Sequence, residues 1–237
     1  MSRQPQAKNP DNRVILPLNG RDTRIPAESV FTTHNGTDIS ITGELFRKLI
    51  HLGAIAIPAG YFVLGMKLTV SLLGFALLIS LAIDYVRLFG DYKSRRFIST
   101  NLGVMIRPSE EKDLVGATYI IFGSILTILL FDKPIAIAAI SFIVVGDTAG
   151  AIIGRLWGLV RFRGKSLEGS VSFFLACSIV AVVVPGIPFW VKITGAFAAT
   201  VVEAITLHID DNLIVPITSA AIMQVIVSQM VILEHFS

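Results

Sequence analysis

The sequence is poor in charged residues and nearly free of cysteine. Only 16% of its 237 residues are Asp, Glu, Lys or Arg, against about a quarter in a soluble domain, and 53% are hydrophobic. The single cysteine, Cys177, excludes an internal disulfide and any metal site built from several cysteines, so we interpret it as a packing residue. Together with a mean hydropathy of +0.73, the low charge indicates an integral membrane protein.

The apolar residues form long continuous blocks. A helix needs about 20 mostly apolar residues to cross a bilayer, whereas the strands of a membrane barrel would alternate between apolar and polar residues. We therefore predict an all-α, polytopic membrane protein with about seven transmembrane helices. The predicted spans are about 45–64, 68–88, 114–131, 134–156, 168–186, 188–207 and 213–233.

The first 40 residues differ from the rest of the chain in composition. They are polar and contain no apolar core of the kind found in a signal peptide. We interpret residues 1–40 as a flexible polar cytoplasmic segment rather than a cleaved leader. Residues 41–237 are then the transmembrane domain.

Basic residues are distributed unevenly among the segments that join the predicted helices. All but three of the 20 lysines and arginines fall on one face, and Lys67, Lys133 and Lys192 fall on the other. The positive-inside rule predicts that the N-terminus and the large loops are cytoplasmic and that the C-terminus is outside. Because they lie in the gaps between the spans and form no aromatic-interleaved patch, we attribute the basic residues to topology and phosphate chemistry, not to nucleic-acid binding.

Ionisable residues inside membrane helices are costly and mark functional sites. Glu44, either Arg47 or Lys48, and His51 are spaced to share one face at the start of the first predicted helix. Contact with lipid headgroups is the alternative for either basic residue alone, but His51 lies a turn deeper. We interpret Asp84 and Arg87, at the inner end of the second helix, as a salt bridge only.

The fourth predicted helix carries Asp147 about two turns inside the lipid boundary. Glycines recur around it at every fourth position, at 146, 150, 154 and 158. Such a strip is typical of a helix-packing face, and it would also let phosphate groups approach the backbone closely.

The loop after this helix contains Gly164-Lys165-Ser166. Five residues separate Gly158 from Gly164, where a Walker A loop has four, so the sequence is not a Walker motif. Ser166 is nevertheless placed to cap the next helix, whose free N–H groups, together with Lys165 and Arg155, would suit a polyphosphate.

Further carboxylates lie at the same predicted face. Glu168 opens the fifth helix, Glu203 ends the sixth, and Asp210 and Asp211 precede the seventh. Adjacent acidic residues in a turn are usually solvated. With Asp147, however, they would supply the oxygen ligands that magnesium takes alongside substrate phosphates.

These motifs resemble a family of polytopic membrane enzymes that comprises dolichol kinase, phytol kinase and CTP-dependent diacylglycerol kinase, and that is itself similar to phosphatidate cytidylyltransferases. The resemblance covers about residues 44–220. It rests on Arg47-Lys48 with His51, Gly116-Ala-Thr-Tyr119, Gly146-Asp147-x-Ala-x-x-x-x-Gly154-Arg155-x-x-Gly158, Lys165-Ser-x-Glu168-Gly169-Ser170, Glu203, and Asp211-Asn212-Leu-x-x-Pro216.

The resemblance implies transfer of the terminal phosphate of CTP to the hydroxyl of a membrane lipid alcohol, with magnesium as cofactor. It implies important roles for Arg47, Lys48, Asp147 and Gly154. The acceptor stays open among a polyprenol or dolichol, phytol and diacylglycerol. We expect a site on the cytoplasmic face of a prokaryotic cytoplasmic membrane.

The residues and the resemblance together predict three overlapping groups. The catalytic group is Asp147, Arg47, Lys48, His51 and Lys165. The nucleotide-binding group is Gly146, Gly154, Arg155, Lys165, Ser166, Glu168, Gly169 and Asn212. The magnesium ligands are Asp147, Glu168, Asp210, Asp211 and Glu203. His51 is the candidate general base, with Asp147 or Asp211 as alternatives.

Two other functions fit parts of the pattern. A cytidylyltransferase would use the same nucleotide site but join CMP to a phospholipid. A small-solute transporter would also carry buried charges, but it would need them in the outer half of the helices, where the sequence has none.

Overall fold

The structure is a computed structural model, and the chain divides into two compact units, Met1–Leu45 and Phe46–Ser237. The residues that it describes are 13–18, 21–26, 48, 51–93, 98, 113–162, 164–205 and 209–236.

The first unit contains a β-hairpin that we did not predict from the sequence. Strand β1 (Arg13–Leu18) pairs antiparallel with β2 (Arg21–Pro26), and Leu18 is opposite Arg21. The two residues between the strands are Asn19-Gly20, the dipeptide most typical of a two-residue hairpin turn. The predicted flexibility of residues 1–40 stays a prediction.

The second unit is helical apart from one very short hairpin. Its elements in chain order are α1 (Ala56–Phe89), α2 (Gly116–Leu130), α3 (Lys133–Trp157), β3 (Arg161–Phe162), β4 (Lys165–Ser166), α4 (Leu167–Val183), α5 (Phe189–Ala204) and α6 (Asp211–Phe236).

Three helical stretches among the described residues are long and apolar enough to cross a membrane, and they indicate an integral membrane protein. They are His51–Phe89, Lys133–Trp157 and Asp211–Glu234. Within α1, Gly65 has φ 77° and interrupts the helix between the predicted first and second spans. This left-handed conformation favours glycine. Helices α2, α4 and α5 lie in predicted spans but have 15, 17 and 16 residues. Seven crossings and the orientation of the termini stay predictions.

Helix α3 is the central element of the helical unit. Every residue from Ile135 to Val144 is buried, so this helix is covered on all sides by its neighbours. Phe142 and Phe173 are the largest fully buried side chains, and Val215 and Met223 of α6 belong to the same core. After Val144 several residues of α3, Asp147 among them, are only partly buried.

Contacts of Asp132 and Lys133 define one end of the helical unit. At the start of α3, Lys133 Nζ donates to the Phe62 carbonyl oxygen at 3.0 Å, and Asp132 exchanges hydrogen bonds with Gln224. We call this the opposite end. Toward the other end lie Asp147 of α3, Glu203 at the end of α5 and Asp211 at the start of α6. We call this the site end.

The glycine strip of α3 is a helix-packing face, as predicted. A Cβ atom built on Gly146 would lie 2.8 Å from both Cys177 Sγ and the Phe173 ring, and one on Gly150 would lie 3.1 Å from the Gly169 carbonyl oxygen. Small residues therefore let α3 and α4 approach closely. Cys177 is a buried packing residue whose Sγ donates to the Phe142 carbonyl oxygen.

Replacing Gly146 by alanine is expected to destabilise the protein. The added methyl group would overlap Cys177 and Phe173, and overpacking of this kind costs about 1–3 kcal/mol of unfolding free energy. The thermal unfolding midpoint in detergent measures the effect. Gly74→Ala on α1 is the matched control, because its methyl group would meet no atom within 4 Å. An equal midpoint for both variants would contradict the packing role.

Candidate functional site

Asp147 contacts two basic side chains from the segment that precedes α1. Lys48 Nζ donates to Asp147 Oδ2 at 2.5 Å, and His51 Nε2 lies 3.4 Å from the same oxygen. Lys48 and His51 thus share one face, as their spacing predicts. The Asp147 side chain is 20% exposed, whereas Lys48 is 3% exposed. Arg47 lies outside the described residues, so its predicted role stays a prediction.

Lys165 lies between two carboxylates from different helices. Its Nζ is 2.8 Å from Glu203 Oε1 at the end of α5 and 2.8 Å from Asp211 Oδ2 at the start of α6. It also donates to the Glu203 carbonyl oxygen. The ends of α5 and α6 therefore meet at one ammonium group.

The two charged clusters are neighbours. Glu203 interacts electrostatically with Asp147 as well as with Lys165 and Asp211. Burial by itself lowers the pKa of Lys165, but the Glu203 and Asp211 carboxylates outweigh it and raise the pKa above its ordinary value. Lys165 therefore stays positively charged at neutral pH, and the site end combines fixed positive and negative charge.

The short β3–β4 hairpin fixes the position of Lys165. Gly164 has φ 85° at its turn, and the strands pair Arg161 with Ser166. Ser166 Oγ accepts from the Gly169 N–H at 3.1 Å, so Ser166 caps α4, as the sequence predicts. Glu168 Oε1 accepts from the Val160 N–H at 3.2 Å and fastens the hairpin to the helix.

Three glycines of the predicted nucleotide-binding group lie in the interface between α3 and α4. Gly146 faces Phe173, while a Cβ on Gly154 would lie 2.6 Å from Ser166 Oγ and 3.3 Å from Gly169 Cα. The structure therefore gives these glycines a packing role. Their contact with a nucleotide stays a prediction.

The structure also describes Arg155, Asn212 and Asp210. Arg155 Nη1, in the last turn of α3, is buried and has no hydrogen-bond partner among the described residues. Asn212 is buried, and its Nδ2 is 3.5 Å from the Gly116 carbonyl oxygen. Asp210 Oδ1 accepts from the Asn212 N–H at 2.9 Å, which makes Asp210 a local cap for α6.

No group of three or more His, Cys, Asp or Glu side chains forms a ready metal site among the residues that the structure describes. Magnesium, however, usually takes only one or two carboxylates and completes its shell with water and phosphate oxygens. Glu203 Oε2 and Glu168 Oε2 are buried and have no hydrogen-bond partner in the described part of the chain. Either oxygen could serve as a single carboxylate ligand to a metal that arrives with a polyphosphate.

The predicted salt bridge between Asp84 and Arg87 is confirmed, with 3.0 Å between Arg87 Nη2 and Asp84 Oδ1. The structure adds two partners that we did not predict. The Thr118 hydroxyl donates to Asp84 Oδ2 at 2.6 Å, and the Val115 N–H donates to it at 3.2 Å. The one sequence signal for these partners was the Asp84 carboxylate itself, because a charged group in a mostly apolar helix needs hydrogen-bond donors.

The chain is similar in sequence to several known proteins. It is 29% identical over 186 residues to an uncharacterised protein of Rickettsia prowazekii, covering 74% of this chain and 90% of that one. No protein-family model matches the chain, and no solved structure matches it significantly.

Three of the similar proteins are named CTP-dependent diacylglycerol kinase 1. The CTP-dependent diacylglycerol kinase 1 of Saccharomyces cerevisiae is 25% identical over 214 residues, covering 78% of this chain and 73% of that protein. The protein of the same name in Schizosaccharomyces pombe is 26% identical over 150 residues, covering 55% and 69%. These likenesses support a CTP-dependent lipid kinase in general. Similarity to dolichol and phytol kinases stays a prediction.

Proposed function

We propose that this protein is a magnesium-dependent lipid kinase that transfers the γ-phosphate of CTP to the hydroxyl of a membrane lipid alcohol. The acceptor is a polyprenol or dolichol, phytol or diacylglycerol. The site faces the cytoplasm of a prokaryotic cell from its inner membrane. The observation that carries the proposal is that the Lys48–Asp147 pair and the Lys165–Glu203–Asp211 cluster lie within electrostatic range of each other, through Asp147 and Glu203.

Phosphoryl transfer asks a protein mainly to position its substrates and to neutralise developing charge. Lys165, Lys48 and Arg155 supply the positive charge for the triphosphate oxygens. The Arg155 Nη1 atom is a buried donor without a partner among the described residues, which suits a phosphate oxygen. Fixed cations in a partly buried site stabilise such charge better than water does.

Carboxylates near these cations suit the magnesium ion that the family resemblance implies. One or two of Asp147, Glu203 and Asp211 would hold it together with phosphate oxygens, and Glu168 and Asp210 are the other predicted ligands. When bound, magnesium would neutralise part of the charge on the triphosphate. The chain's own acidic residues also hold the two ammonium groups in place, Asp147 that of Lys48 and Glu203 that of Lys165.

The acceptor hydroxyl needs a base, and His51 is our candidate. Its Nε2 lies 3.4 Å from Asp147 Oδ2, so the carboxylate can orient the ring. A histidine oriented by a carboxylate is a common base arrangement. Asp147 and Asp211 stay as alternatives. The lipid tail would remain in the bilayer while its hydroxyl reaches the site end.

Labelled CTP tests the reaction directly. We expect purified protein with magnesium to transfer the γ-label of CTP to at least one alcohol in a panel of polyprenol, phytol and diacylglycerol. ATP and GTP serve as competing donors. The label appears in the lipid because the terminal phosphate moves, and thin-layer chromatography of the extracted lipids measures it.

CTP labelled at the α-phosphate is the control in the same assay. A kinase leaves the α-label in the released CDP. Incorporation of the α-label into lipid would contradict the proposal and indicate a cytidylyltransferase. If folded protein transfers neither label to any lipid, the result would argue against both lipid-modifying functions.

A further inference from the structure

The Asp84 carboxylate anchors the start of α2. Asp84 is 1% exposed, and it accepts hydrogen bonds from Arg87, the Thr118 hydroxyl and the Val115 N–H. Val115 has no side chain that could cap α2, although the first N–H groups of a helix need acceptors. The carboxylate also lies at the positive end of the α2 dipole. Asp84 therefore holds the first turn of α2 in place.

Helix α2 in turn touches the first turn of α6 without any side chain between them. A Cβ atom on Gly123 would lie 2.6 Å from the Asn212 carbonyl oxygen and 3.1 Å from Leu213 Cα. Pro216 has no N–H to donate to the Asn212 carbonyl, four residues earlier. That carbonyl can therefore face the Gly123 backbone. A shift of α2 is transmitted directly to the backbone of α6.

The first turn of α6 carries Asp211, whose Oδ2 is 2.8 Å from Lys165 Nζ. We propose that Asp84 is a positioning residue that sets the geometry of the Lys165–Glu203–Asp211 cluster through α2 and its backbone contact with α6. Asp84 itself does not touch the substrate. An effect of Asp84 on turnover of CTP would require the proposed function. An effect of Asp84 on the exposure of the Lys165 amine would not.

The first test measures Lys165 without any substrate. Asp84→Asn removes the anchoring charge, and Gly123→Ala forces α2 and the α6 backbone apart. Moving Asp211 away from Lys165 Nζ removes one contact that shields the amine and exposes it to reagent. We expect it to react with an acylating reagent about 3- to 10-fold faster in each variant, read by peptide mass spectrometry.

Two controls accompany this labelling. Lys67 is exposed and lies outside the site end, so its acylation rate is the internal reference and should not change. Gly74→Ala adds a methyl group to α1 where no atom lies within 4 Å, and it should leave the Lys165 rate at the original value. Equal rates at Lys165 in all proteins, or a parallel rise at Lys67, would overturn the proposal.

The second test separates positioning from general loss of structure. We expect both variants to raise the KM for CTP by about 3- to 10-fold while the KM for the lipid acceptor stays unchanged. A merely structural role would lower the amount of folded enzyme and leave both constants as they are, which would count against Asp84 as a positioning residue.

Failure of the Asp84 proposal can be distinguished from failure of the proposed kinase function. If Asp84→Asn does not fold, Gly123→Ala still tests the α2–α6 contact through which Asp84 would act, and an unchanged Lys165 rate in that variant overturns the proposal. If the unaltered protein turns over no CTP, the proposed function fails, and the labelling of Lys165 alone supports or overturns the link from Asp84.

Discussion

Asp147→Asn is expected to abolish lipid phosphorylation, with at least about a 100-fold loss in turnover. The substitution keeps the size of the side chain and one acceptor oxygen, but it removes the negative charge that lies 2.5 Å from Lys48 Nζ and 3.4 Å from His51 Nε2. Lys48 would retain the Asp147 carbonyl oxygen, at 3.4 Å, as an acceptor. We therefore expect the variant to insert and purify normally. Transfer of γ-label from CTP to lipid measures the loss.

Asp132→Asn is the matched control for this variant. It makes the same chemical change at the other end of α3, where Asp132 is exposed and bonded to Gln224. The two positions are about 22 Å apart along the helix at 1.5 Å per residue. We expect unchanged activity for Asp132→Asn. Parental turnover by Asp147→Asn would show that the site has been assigned to the wrong carboxylate.

Lys165→Met is expected to lower kcat/KM for CTP by about 100-fold, because it removes a fixed cation from the site. The methionine side chain has a similar length, so packing around the β3–β4 hairpin is largely kept. The variant also leaves Glu203 and Asp211 facing each other without the ammonium group that lies 2.8 Å from each. Their repulsion should lower the thermal unfolding midpoint. Steady-state kinetics and thermal unfolding measure the two effects separately.

A second substitution divides the two effects of Lys165→Met. Adding Asp211→Asn removes one of the opposed charges, so the double variant should regain part of the lost midpoint but none of the lost activity. Lys67→Met, an exposed lysine away from the site end, controls for the change of side-chain type. Full activity in Lys165→Met would contradict the role of this lysine in binding the triphosphate.

Local features of the site were predictable because their partners are close in sequence. Ser166 caps α4 through a residue three positions later, and Asp84 pairs with Arg87 one turn away. Lys48 and His51 share a face for the same reason. The β1–β2 hairpin was equally local, and the Asn19-Gly20 signal for it was present, but we did not use it.

Long-range partners could not be predicted in the same way. Lys48 and Asp147 are 99 positions apart, and Lys165 and Asp211 are 46 apart. Assigning charged residues to one membrane face reduces the number of possible partners for each of them. Several acidic and basic residues still share that face. Which of them meet depends on how the helices are rotated and packed, and hence on side chains spread over the whole unit.

The sequence by itself determined that the chain enters a membrane, that it does so as helices, and where its costly charges are concentrated. It could do so because the bilayer requires apolar runs of a certain length, and this requirement acts on each segment separately. Only the tertiary structure decided that Lys48 pairs with Asp147, that Lys165 joins Glu203 to Asp211, and that the glycines of α3 pack against α4. Those contacts depend on the close approach of distant segments, which packing of the whole core sets.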